Sequence, residues 1–154
     1  MIVYRIARGK YKDDLSGTGA EINGGRWNNK GTKVLYTASS IALAMAEVAV
    51  NVPFGILPKG YFVISIEIPD VNISVVHPKN LKGTTWNSHP PSHITQKIGD
   101  DFIKANKDLI LKVPSVVAPG DYNFLINPSH VEFSKVKIVE KSPFGFDQRL
   151  FKKK

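Results

Sequence analysis

The sequence predicts an α+β fold built on a mainly antiparallel sheet. Strand-like segments outnumber helical ones, and the helices do not alternate regularly with strands as a βαβ series requires. In addition, "GYFVISIEIP" sets Phe62, Ile64, Ile66 and Ile68 against Tyr61, Val63, Ser65 and Glu67, the period of two expected for a strand with one buried face.

The elements follow in order. "MIVYRIAR" opens the chain as a strand, from its β-branched and aromatic content. "KYKDDLSGTGAEINGG" is polar and glycine-rich and reads as a long loop with room for one helical turn. "GGRWNNKGTKVLYT" then bends at two glycines and leads into the strand "KVLYT". "SSIALAMAEVAVN" is the clearest helix: Ser39 or Ser40 can cap it, alanines fill it, and Asn51 and Pro53 end it. After the alternating strand, "NISVVH" is a further strand. "SHITQKIGDDFIKAN" is a second helix, capped by Ser92 after two prolines, with Ile94, Ile98, Phe102 and Ala105 on one stripe. "LILKVPSVV", "YNFLIN" and "KVKIVEK" close the chain as strands.

Composition narrows the function. A chain of 154 residues with 42% hydrophobic and 22% charged residues is expected to be one soluble globular domain. The longest apolar run, "IALAMA", is too short to cross a bilayer, and charges break up the N-terminal apolar stretch that a signal peptide would need. No cysteine is present, so disulfides and thiolate metal sites are excluded, which fits a cytoplasmic location. The net charge of +8 favours an anionic partner: a nucleotide, a nucleic acid or an acidic protein. Part of that charge is the terminal "KKK", read as a solvated tail at 152–154 behind a domain spanning 1–151.

Several motifs fail on inspection. "GTGAEI" has Ile22 where a dinucleotide fingerprint needs its third glycine. His89 and His93 stand four apart, but Pro90 and Pro91 forbid the helix that would bring them onto one metal, and no metal site is expected.

Glu47 is the most informative single residue. It is the only polar side chain between Ile41 and Val50, on a helix whose apolar surface predicts burial nearly all round. It also stands in the later half of that helix, where the dipole disfavours a carboxylate. It either lies on an exposed edge or pairs with a structural arginine, or else it is aimed into a cleft. Arg26 is either a solvated arginine on a glycine turn or a planar fork presented to phosphate oxygens. Tyr36 is either core or ligand contact, Ser115 interrupts an apolar run as a buried serine, and Asn123 can be an ordinary turn residue. Arg5 reads as a strand arginine with local partners.

Taken together, "LSGTGAEINGGRWNNKGTKVLYTASSIALAMAEV", "IGDDFI", "VPSVVAPGDYNFLINPSHVEF" and "FDQRLF" resemble the RES-domain family, whose members include the toxins of bacterial Xre–RES toxin–antitoxin pairs. The resemblance covers essentially the whole chain. It places the family's arginine, glutamate and serine at Arg26, Glu47 and Ser115, and a family tyrosine at Tyr36. It implies an ADP-ribosyltransferase-like fold and an enzyme that consumes NAD as substrate, with no separate cofactor. The activity would be that of a glycohydrolase or phosphorylase, or alternatively an ADP-ribosyltransferase acting on a protein. Arg26 would bind the pyrophosphate and Tyr36 would wall the nicotinamide. Glu47 would stabilise the developing cation, and Ser115 would hold a ribose hydroxyl or orient Glu47. Asn123 would join the same pocket. The implied partner is an Xre-type helix-turn-helix antitoxin that occludes the site and brings DNA in only indirectly. Water, phosphate and a protein side chain all remain open as acceptors. A basic nucleic-acid-binding module is the reading of a different class.

Overall fold

A computed structural model describes residues 1–152; within the expected basic tail, 153–154 lie outside the described residues. The architecture is α+β, as the segment order predicts. The strands are β1 (Ile2–Arg8), β2 (Leu35–Ala38), β3 (Tyr61–Glu67), β4 (Ile73–Val75), β5 (Ile110–Pro114), β6 (Tyr122–Ile126) and β7 (Lys137–Phe144). They form one seven-stranded sheet in the order β4-β5-β6-β2-β1-β3-β7. Every pairing is antiparallel except β4 with β5. The helices are α1 (Thr18–Asn23), α2 (Ile41–Ala49) and α3 (His93–Ala105).

Alternation along the strands sorts the core onto the two faces of the sheet. Val3, Leu35, Ile64, Ile66, Ile110, Phe124 and Ile126 fill one face. On the other, α2 brings Leu43 and Ala44 onto Ile6 and Ala38. Farther along that face, Trp27 packs with Leu111, Val113 and Leu125, joined by Ile98, Phe102 and Ile103 of α3. The site lies between these two clusters.

The sheet is weakest at its middle. β1 pairs with β3 at seven positions but with β2 only at Tyr4↔Ala38. Tyr4, Arg5 and Ile6 of β1 and Tyr36, Thr37 and Ala38 of β2 all line a cleft there. Residues of both parities reach it because the strands diverge at the seam.

The two long helices begin where their caps predict. Ser40 Oγ accepts from Leu43 N at 3.0 Å, and Ser92 Oγ from Ile94 N at 3.0 Å. The long polar loop holds its expected helical turn as the six-residue α1, entered through Gly17 at φ 75° and left through Gly24 at φ 70°. Two expectations need correction. The α2 helix is not buried all round: Leu43 and Ala44 are its buried residues, while Ile41 and Val50 are exposed, because only one face meets the sheet. On α3 the buried residues are Thr95 and Gly99, and Ile94 is 40% exposed. The inner face therefore runs through Thr95, Ile98, Gly99, Phe102 and Ile103, since small residues admit a crossing loop there.

Candidate active site

The cleft has a volume of about 1570 Å³, and Arg26, Tyr36, Glu47 and Asn123 all contribute to its wall. That exceeds the roughly 300–1,000 Å³ typical of small-molecule sites. Four of the five expected site residues therefore line one cleft although they come from four separate segments of the chain.

Glu47 stands in the last turn of α2. Its Oε1 accepts from Ser115 Oγ at 3.0 Å and from Asn123 Nδ2 at 2.8 Å. Asn123 sits in the sheet interior, paired with Ala38 on one side and Val113 on the other, so its amide is held rigidly. Both hydrogen bonds fix the position of the carboxylate. Each donates to Oε1, which leaves Oε2 to the cleft.

Ser115 follows the end of β5. Its backbone N–H donates to the carbonyl of Asp121 at 2.9 Å. Its Oγ donates to Glu47 and accepts from the N–H groups of Val117 and Ala118, both at 3.1 Å. A hydroxyl has one proton and two lone pairs, and all three are used. Ser115 is 2% exposed and does not line the cleft. Of the two roles expected for it, orientation of Glu47 is the one its contacts support.

Arg26 lies near the tip of a tight turn closed by Gly25 N donating to the carbonyl of Asn28 at 3.0 Å. Its Nη1 donates to the carbonyls of Trp86 and Ser88, both at 2.9 Å. Both Nη1 protons are thereby engaged, and the Nε–Nη2 edge makes no hydrogen bond among the described residues. Burial lowers the guanidinium's pKa while the nearby Glu47 raises it. Among the described residues, no ion pair joins Arg26 to Glu47. The two opposite charges therefore line one cleft without being paired to each other.

Tyr36 contributes more than its ring. Its hydroxyl accepts from Trp27 N at 3.1 Å and donates to Asn28 Oδ1 at 2.7 Å, pinning the arginine turn to the sheet. Burial raises the phenol's pKa, so it stays a donor at any physiological pH. A side chain on Gly25 would collide with this hydroxyl, its Cβ lying 2.7 Å away. Arg5 pairs locally, donating from Nη1 to the carbonyls of Tyr11 at 3.3 Å and Asp14 at 2.6 Å. His89 lies in the segment before α3 and His93 is the first residue of that helix.

Sequence reasoning missed part of the cleft lining. Asn87, His89 and Gln96 also line the cleft. The run "NSHPPS" signals a loop but nothing about which cleft the loop closes. The fully buried Asn28 was missed too, although it stands two residues after the arginine.

A family model described as the RES domain matches residues 2–147. A protein of Photorhabdus laumondii named Toxin Res is 38% identical over 156 residues, spanning 100% of this chain and 99% of its own. A Sphingobium protein named Prs ADP-ribosylating toxin is 37% identical over 150 residues, 96% of this chain and 92% of its own. Another Toxin Res, from Yersinia enterocolitica, is 38% identical over 152 residues, 97% and 99% of the two chains. Among solved structures, the M. tuberculosis MbcT–MbcA toxin–antitoxin complex contains a chain of like fold. Its TM-score is 0.67 at 19% identity, over 94% of this chain and 84% of that one.

Proposed function

The chain belongs to the RES-domain family, and on that premise we propose that it is the toxin of a toxin–antitoxin pair and consumes NAD by breaking the nicotinamide–ribose bond. The observation that carries this reading is the Glu47 carboxylate, fixed by Ser115 and Asn123 on the wall of the cleft it shares with Arg26.

The arrangement suits the substrate's charge. The free edge of Arg26 binds the pyrophosphate, and Tyr36 walls the nicotinamide. The C–N bond breaks with its electron pair passing to the nicotinamide nitrogen, which becomes neutral. The ribose carbon becomes oxocarbenium-like, and the ionised Glu47 stabilises it. An acceptor oxygen then bonds to that carbon and loses a proton. Nicotinamide leaves without protonation, so the second carboxyl that an ordinary glycosidase needs is dispensable.

Two acceptor classes are in view. Water or inorganic phosphate would make the enzyme a glycohydrolase or phosphorylase. A protein side chain would make it an ADP-ribosyltransferase, a reading favoured by the name of the Sphingobium relative. The test is mass spectrometry of the products formed from NAD by the purified protein, with and without phosphate and cell lysate. Free ADP-ribose, its phosphorylated form, and a modified protein identify the three cases. Intact NAD under all conditions rejects the proposal. The alternative of a nucleic-acid-binding module instead requires a salt-dependent shift of DNA or RNA mobility. Activity against free NAD also requires restraint, and an Xre-type antitoxin entering the cleft beside Arg26 would supply it, bringing DNA in only through itself.

A further inference from the structure

The "IGDDFI" run of α3 has no part in the chemistry above. Its Asp100 does not line the cleft, yet it touches the segment that carries Arg26. Gln96, Gly99 and Asp100 stand at i, i+3 and i+4 and so share one face of α3. They meet alternate residues of the arginine turn. Gln96 Nε2 donates to the carbonyl of Gly25 at 3.2 Å. Gly99 lies so close beneath Trp27 that an added Cβ would stand 1.5 Å from the Trp27 carbonyl oxygen. Asp100 takes Asn29 at two points, Oδ1 accepting its backbone N–H at 3.0 Å and Oδ2 its Nδ2 at 2.8 Å.

Arg26 lines the cleft, as do Gly25, Trp27 and Asn29 on either side of it. Asn28 is fully buried, with Nδ2 donating to the carbonyls of Ala20, Asn29 and Thr32 and Oδ1 accepting from Tyr36. The segment from Gly25 to Asn29 is therefore attached at both ends to α3, with Arg26 between the attachments.

We infer that Asp100 is a positioning residue for Arg26. With Gly99 it sets how the turn crosses α3, and so the direction in which the free Nε–Nη2 edge of the guanidinium faces the cleft. This rests on Arg26 being an anion ligand, as proposed above. Asp100 itself touches no substrate; its carboxylate acts through Asn29. An aspartate is suited to this, because its two acceptor oxygens take the backbone N–H and the side-chain amide of one asparagine separately, as a bidentate pair.

The test uses Asp100→Ala and Asp100→Asn in the full chain. NAD turnover is measured directly, NAD binding by calorimetry in a Glu47→Gln background, and the Arg26 Nε–H resonance by NMR without NAD. Small displacements of a binding group are costly, so Asp100→Ala should raise KM and Kd for NAD by about tenfold while kcat changes by less than about threefold. Asp100→Asn keeps one acceptor oxygen and should fall between. In an Arg26→Ala background, Asp100→Ala should add nothing, since both act through one group. An undiminished effect in that background, or an unaltered Kd, overturns the inference. If the parent neither binds nor consumes NAD, the proposed function fails and the resonance decides alone. A shifted or broadened Arg26 Nε–H signal in Asp100→Ala then upholds the positioning role, and an unaltered one rejects it.

Discussion

Replacing Glu47 by glutamine isolates the charge at the centre of the cleft. The carboxylate accepts both of its hydrogen bonds through Oε1, from Ser115 and Asn123. A glutamine can set its amide oxygen at that position and keep both, leaving its NH2 where the second oxygen faced the cleft. Rotamer and fold should survive, and only the negative charge is lost. Two routes give the size of the effect. A unit charge about 4 Å from a developing cation, at an effective dielectric near 20, is worth about 4 kcal/mol. Removal of a preorganised electrostatic group typically lowers kcat by about 10²–10³, or about 2.7–4 kcal/mol. The assay is NAD loss at saturating substrate, paired with calorimetric NAD binding and a thermal unfolding curve. The expected outcome is a kcat reduced by about 10²–10³ with affinity and Tm little altered. Turnover within about threefold of the parent would refute the reasoning, because no other carboxylate lines the cleft among the described residues.

Three further outcomes follow from the same geometry. Ser115→Ala removes a hydrogen bond to a charged acceptor, worth about 1.5–3 kcal/mol, and leaves the Val117 and Ala118 N–H groups without their acceptor. Steady-state kinetics should show a lower kcat with little change in KM, and urea unfolding a loss of stability; a loss of NAD affinity alone would make Ser115 a direct ligand. Arg26→Ala should weaken NAD binding by about 1.5–3 kcal/mol in calorimetry. Arg26→Lys should recover only part of this, because an ammonium cannot hold the Trp86 and Ser88 carbonyls while presenting a second edge to the anion; full recovery would contradict the fork geometry. Expression of the toxin alone should arrest growth and lower cellular NAD, and co-expression of its antitoxin should reverse both. Excess NAD should compete with antitoxin binding, and a ternary complex formed without mutual weakening would exclude occlusion of the cleft.

The boundary between local and tertiary information runs through individual residues. The strands around Ile64 and Ile66, and the helices starting at Ser40 and Ser92, are set by periodicity and by a capping hydroxyl within three residues, so the linear order of the chain suffices for them. The identities of Arg26, Tyr36, Glu47, Ser115 and Asn123 as candidates were legible too, because they stand in an ordered motif pattern. What each does with its hydrogen bonds was not. Glu47 meets its partners 68 and 76 residues away, and Arg26 meets its carbonyls at 60 and 62. Such contacts leave no mark on local propensity. The same reason hid the inner face of α3: Gly99 carries no hydrophobic signal, and its position is explained only by the Trp27 backbone that crosses above it. Local sequence specified which elements form and which residues are unusual for their place. The seam between β1 and β2, and the cleft that Arg26 and Glu47 both line, came only from bringing distant segments onto one face of the sheet.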